Sequence, residues 1–160
     1  MEEAELLNVS RLIHMLAKAA NGGKAKTQGA EVNLQQPLSG GFGFIANATV
    51  ASSSAGLTGT SKITYNLTGY YEQGPISTRL SYNYRSHFYL GYANGSPDYQ
   101  DNYGTLDGTF SYQLTPHISL TIDAQNLLHA KEYYYDVTKN IPRAVYDNGQ
   151  QFYTGFRFKY

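Results

Sequence analysis

From Thr27 to Tyr160 the chain alternates apolar and polar residues with a period of two. The clearest stretch is Lys62 to Glu72. Ile63, Tyr65, Leu67, Gly69 and Tyr71 share one parity, and Lys62, Thr64, Asn66, Thr68 and Glu72 take the other. Successive side chains of a strand point to opposite faces, so this pattern predicts a strand with one apolar and one polar face. The same reading places strands at 28–36, 42–50, 76–92, 105–114, 118–125 and 152–160, which makes about seven.

The connections carry a second regularity. Three are short and built from turn residues: Pro37-Leu38-Ser39-Gly40-Gly41, Gln73-Gly74-Pro75 and Thr115-Pro116. The others, at 51–61, 93–102 and 127–148, are long, and short and long alternate strictly. A soluble β-sandwich has no reason to sort its connections this way. Strands that cross a bilayer up and down do, with tight turns on one side and long loops on the other. Lipid demands an apolar outer face, while the inner face stays polar against a wet lumen. Phe42, Tyr71, Tyr112 and Tyr160 sit on the apolar parity beside the short turns, where an aromatic girdle belongs. Phe152 and Tyr160 stand eight residues apart. At about 3.3 Å per residue and roughly 40° of tilt they bracket about 20 Å, close to an apolar band of about 25 Å. The expected fold is all-β, a portion of an antiparallel up-and-down transmembrane β-barrel.

Residues 1–24 differ in kind, and no aromatic occurs before Phe42. Glu2, Glu3 and Glu5 precede Leu6, Val9, Ile13 and Leu16 at spacings of three and four, followed by Lys18 and Asn21-Gly22-Gly23. Acid at the start, base near the end and glycine at the stop predict a short amphipathic α-helix. The expected organisation is a helix and linker over 1–24 and a barrel portion over 25–160. Twelve Lys+Arg balance twelve Asp+Glu, which excludes a nucleic-acid binder held by bulk charge. The absence of Cys excludes a disulfide scaffold, a thiolate zinc site and a Cys nucleophile. No apolar run reaches the roughly 18 residues of a membrane-spanning helix. The acidic start lacks a basic n-region, so no signal peptide is visible.

Tyr153-Thr154-Gly155-Phe156-Arg157-Phe158-Lys159-Tyr160 resembles the C-terminal assembly signal of outer-membrane proteins, with Tyr153, Gly155, Phe158 and Tyr160 in the signal positions. That resemblance implies capture of this strand edge by the barrel-assembly machinery. A wider series resembles the C-terminal barrel of TonB-dependent receptors over about residues 22–160. It comprises Gly29-Ala30-Glu31-Val32, Tyr65-Asn66-Leu67-Thr68-Gly69-Tyr70-Tyr71-Glu72, Arg79-Leu80-Ser81-Tyr82-Asn83-Tyr84-Arg85-Ser86, Tyr103-Gly104-Thr105-Leu106-Asp107 and Ile122-Asp123-Ala124-Gln125-Asn126-Leu127. The resemblance implies the bacterial outer membrane, contact with its lipid and a plugged barrel of about 22 strands. It further implies energised uptake of a small ligand such as a glycan or siderophore, with the TonB complex engaged through an N-terminal part. The chain shows no plug and about seven strands, so it reads as a C-terminal fragment that does not transport alone.

In such receptors ligands meet the outer loops and the upper lumen. Here those regions hold Tyr89, Tyr92, Tyr99, Tyr133, Tyr134, Tyr135, Arg143 and Tyr146, with Arg85 and His87 on the upper wall. Aromatic rings stack on sugars and Arg clamps acidic ligands. Arg79, Arg85, His87 and Asp107 share the polar parity and are expected along the lumen. No enzyme is expected. Ser86 and His87 are adjacent in a strand and face opposite sides, and His117 and Asp123 lie six residues apart. No cofactor is expected, and His14, His87, His117 and His129 lack metal-ligand spacing. Two other readings stand beside the receptor fragment: a small structural or adhesive outer-membrane barrel, and a secreted β-sandwich binding module.

Overall fold

The computed structural model describes residues 24, 26–54, 57–93 and 95–160. The helix expected within 1–24 lies outside the described residues. Among them are eleven strands: β1 (Thr27–Pro37), β2 (Phe42–Ser53), β3 (Ile63–Gln73), β4 (Ile76–Arg85), β5 (Phe88–Ala93), β6 (Ser96–Gln100), β7 (Tyr103–Thr115), β8 (Ile118–Gln125), β9 (Glu132–Asp136), β10 (Pro142–Tyr146) and β11 (Gln151–Phe158). One antiparallel sheet has seven strands in the order β1-β2-β3-β4-β7-β8-β11, and a second has four in the order β10-β9-β6-β5.

The expected count of seven is therefore exceeded. Two of the long connections, read from sequence as loops, carry three of the four strands of the small sheet, β6, β9 and β10. The strand expected at 76–92 is also two strands, broken at Ser86-His87. The cause is local. Ser86 turns back onto β3, where its N donates to Ile63 O at 2.8 Å and its Oγ accepts from Ile63 N at 3.1 Å. The chain beyond it leaves the wall, and β5 pairs with β6 instead.

Direct pairing puts each parity of the seven strands on one face. Val32, Ala48, Tyr65 and Tyr84 form one rung, and Leu34, Ala46, Leu67, Tyr82 and Leu106 the next. This face is bare: Val32 is 67%, Leu67 51% and Phe156 62% exposed. A sandwich would cover it, and nothing among the described residues does. Among the described residues the buried apolar side chains are Phe88 and Tyr135, both in the small sheet. Among the described residues there is thus no conventional core beneath the large sheet, of the kind a water-soluble fold needs. The tyrosines of the apolar face fall into two bands. Tyr71 and Tyr112 lie towards the short turns, and Tyr65, Tyr82 and Tyr84 towards the long connections. Leu67, Gly69, Leu80, Gly108 and Ile122 fill the middle.

The opposite face is a hydrogen-bonded polar surface. Asn33, Asn47, Asn66 and Asn83 pair strand to strand along one rung. Asn66 Nδ2 donates to Asn83 Oδ1 at 2.6 Å, and Asn83 Nδ2 to Asp107 Oδ2 at 3.1 Å. Lower down, Arg79 pairs with Glu72 at 2.7 Å and lies over the Tyr70 ring. All three short turns lie at one end of the sheet, and the connection between β3 and β4 is only Gly74-Pro75. Gly74 has φ 59°, a value that suits glycine at the first position of a two-residue hairpin and Pro at the second. Among the described residues the sheet does not close: β1 and β11 each have one neighbour.

Candidate ligand-facing site

The long connections gather at the other end, and the small sheet they build holds most of the residues expected to meet a ligand. On one of its faces Tyr89, Tyr99 and Tyr135 occupy one pairing rung across β5, β6 and β9. Ring centroids are 5.6 Å apart for Tyr89–Tyr99 and 5.5 Å for Tyr99–Tyr135, with Tyr133 6.3 Å beyond Tyr135 and Tyr92 6.2 Å from Tyr89. The row packs largely on itself. Burial, first of all, raises the pKa of the Tyr89 and Tyr135 hydroxyls above the ordinary tyrosine value. Tyr92 ends the row at 74% exposed and is its most open ring.

Strand parity carries Gln100, Glu132 and Tyr134 to the other face, towards the wall. Tyr134 donates to Glu132 Oε2 at 2.7 Å, Gln100 Nε2 donates to the same oxygen at 3.2 Å, and Tyr146 sits edge-on to Tyr134. Burial and then the Glu132 hydrogen bond push the Tyr134 pKa up to about 12. Arg85, at the top of β4, lies 3.8 Å from Glu132 with its guanidinium over the Phe88 and Tyr103 rings. This cluster is the joint between the two sheets. Below it the polar face forms a groove of about 490 Å³ lined by Asn47, Asn66, Asn83, Arg85, Tyr103 and Thr105.

Arg143, expected as a clamp for acidic ligands, is engaged within the protein. Its Nε lies 2.9 Å from Asp98, its Nη2 3.2 Å from Asp136, and it also donates to Ala93 O and Ser96 Oγ. Asp98, Asp136 and Glu132 are the partners that sequence reading missed, because pairing between separate loops sets them beside their cations. His87 is a further correction. It follows the break after Arg85, lies outside the wall strands, and its backbone N donates to Asn102 Oδ1 at 2.9 Å. Arg79, Arg85 and Asp107 do share the polar face of the large sheet.

Asn126 anchors this end. Its Nδ2 donates to Ala130 O at 3.0 Å and Gly149 O at 2.9 Å, its Oδ1 accepts from Ala130 N, and its N donates to Asp107 Oδ1. Nearby, Lys131 and His129 clamp Asp147 at 2.8 and 2.7 Å, and in that order they hold its pKa down to about 2. Among the described residues no group of three or more His, Asp or Glu could hold a metal ion. The residues expected to form an assembly signal lie on and just past the edge strand. Tyr153 is on the polar face opposite Asp123, Phe158 is on the apolar face opposite Ile118, Gly155 pairs with Thr121, and Tyr160 is fully exposed beyond β11.

Comparison with curated proteins and with solved structures gives no match. Comparison with protein families does. Residues 8–127, three quarters of the chain, match the family described as TonB dependent receptor-like, beta-barrel. The match takes in β1 to β8, and the two bands of tyrosine, the bare apolar face and the sorted connections agree with it. The chain therefore belongs to the TonB-dependent receptor-like β-barrel family.

Proposed function

We propose that this chain is part of the lipid-facing wall of a TonB-dependent outer-membrane receptor, serving energised uptake of a small nutrient ligand such as a carbohydrate or a metal chelate. One observation carries the reading. Seven antiparallel strands share a continuous exposed apolar face, backed by a hydrogen-bonded polar face that suits a wet lumen. The short turns then lie on the periplasmic side and the small sheet outside. Glycans or siderophores meet the tyrosine-bearing small sheet and the groove beneath it. The barrel-assembly machinery takes the β11 edge, and TonB acts through a part of the receptor not seen here. The chain is a non-enzymatic wall, and alone it does not transport. In lipid, its two open edges leave backbone groups unpaired, each at a cost of several kcal/mol.

The strand count weighs against a barrel made from copies of this chain. With seven antiparallel strands, β1 and β11 run in the same direction. A ring of copies about the membrane normal would join β11 to the next β1 in parallel, whereas bacterial barrels are antiparallel throughout with even strand numbers. Closure therefore calls for an odd number of further strands, as a larger receptor wall supplies.

The test compares two adjacent residues of β1. Val32 lies on the apolar face and Asn33 on the polar face. Val32→Arg should reduce recovery in outer membranes, because it sets a charge on the lipid face, where the cost runs from about 2–4 kcal/mol at mid-bilayer down to about 0–1 kcal/mol at the interface. Asn33→Arg should leave recovery near that of the parent. Equal recovery of both variants, or a parent chain soluble without detergent, would sink the membrane reading.

A further inference from the structure

A second cavity, of about 220 Å³, lies between the β2–β3 connection and the small sheet. Its lining combines Lys62, His87, Tyr89, Tyr99, Ser53 and Thr60. Its frame is tied by hydrogen bonds. Gly59 N donates to Tyr89 O at 2.8 Å, Ser61 Oγ donates to Ser86 O at 2.8 Å, and His87 N is held by Asn102. Among the described residues no acidic side chain lines it. Asp98 of β6 and Asp101 just after it are already engaged: Asp101 is paired with Lys139 at 2.6 Å and Asp98 with Arg143 at 2.9 Å. Among the described residues, Lys62 and His87 have no ion-pair partner.

We infer that this cavity binds a small carboxylated, hydroxyl-bearing ring, of which a uronic acid is the simplest case. The inference rests on the receptor reading and adds a ligand class to it. The Lys62 ammonium supplies a cation that no carboxylate among the described residues neutralises, on a stem long enough to follow a ligand carboxylate. His87 offers a second donor and carries charge when protonated. The Tyr89 and Tyr99 rings give an apolar wall for the ring carbons, and the Thr60 hydroxyl and neutral tyrosine hydroxyls suit ring hydroxyls. A bare inorganic anion would leave the aromatic wall unused, and a neutral sugar would leave the cations unused. Sequence parity alone hides the site. Lys62 reads as one more polar residue of the wall, and only the fold sets it beside β5 and β6.

The experiment uses the full chain folded in detergent micelles. Calorimetric titration is run with D-glucuronate, D-glucose and inorganic phosphate. Glucuronate should bind at least tenfold more tightly than either of the others. Lys62→Met should weaken glucuronate at least tenfold and Lys62→Arg by less than threefold, while His87→Gln should weaken it a few-fold. A second readout labels Lys62 with an amine-reactive ester. Glucuronate should slow labelling at Lys62 and leave Lys159 unchanged, and glucose should do neither. Glucose or phosphate binding as well as glucuronate, or Lys62→Met binding like the parent, overturns the proposal. So does unprotected labelling of Lys62 in a chain that passes the Val32/Asn33 membrane test, and that result leaves the receptor reading standing.

Discussion

Asn126 occupies a left-handed conformation, φ 54°, which asparagine tolerates better than most residues, and its amide satisfies three backbone groups from two parts of one connection. Asn126→Ala leaves those groups unpaired and strains the backbone. It should cost about 2–4 kcal/mol in thermal unfolding followed by circular dichroism. Asp147 sets a pH dependence. Its carboxyl is held at about 2 against an ordinary 3.8, so the folded state favours the ionised form. The stabilisation is present above about pH 4 and is lost as pH falls from there through about 2. Pepsin cleavage within residues 126–150 should accelerate across that interval, and Asp147→Asn should be cleaved readily throughout it. Unchanged cleavage in the Asn variant would show that the clamp does not order this connection. None of these partnerships is legible in sequence, because Asn126, Gly149 and Asp107 meet only through the pairing of separate strands.

At the scale of elements, strand positions were largely legible and strand membership was not. Period two marks where β3, β7 and β8 run, because one face of each must be apolar and the other polar whatever their neighbours. It does not mark β6, β9 and β10, which are only five residues each and lie within a small sheet. It also ran one strand through Ser86, whose turn onto Ile63 is a tertiary contact. A close approach within the wall gives a sharper test. Gly43 of β2 faces Tyr70 of β3, and a Cβ there would collide with the Tyr70 ring. Gly43→Val should destabilise the β2–β3 pair by about 1–3 kcal/mol, the usual cost of overpacking. Adding Tyr70→Ala should recover most of the loss. A Gly43→Val chain as stable as its parent would mean that Tyr70 does not lie across the glycine.

For the whole molecule, the open edges are the governing feature, and parity of strand number makes them testable. The chain has no native Cys, so introduced pairs report alone. Val32→Cys with Ala48→Cys, direct partners in β1 and β2, should cross-link within one chain. Val32→Cys with Phe156→Cys, one on each edge, should give no ladder of linked copies. A ladder from the edge pair, together with a heat-modifiable band on cold SDS gels, would mean that copies do close on one another. By itself the sequence determined the kind of surface this chain makes. Two-residue periodicity requires a sheet with one apolar and one polar face, and the sorted connections require that long loops collect at one end. Both are local properties of the chain, set by backbone geometry and by the solvent each face prefers. What those loops become, and which cations among the described residues are neutralised while others, like Lys62, have no ion-pair partner, is set by tertiary pairing. Those outcomes depend on residues far apart in sequence meeting across strand pairs, and no local pattern encodes which strands pair.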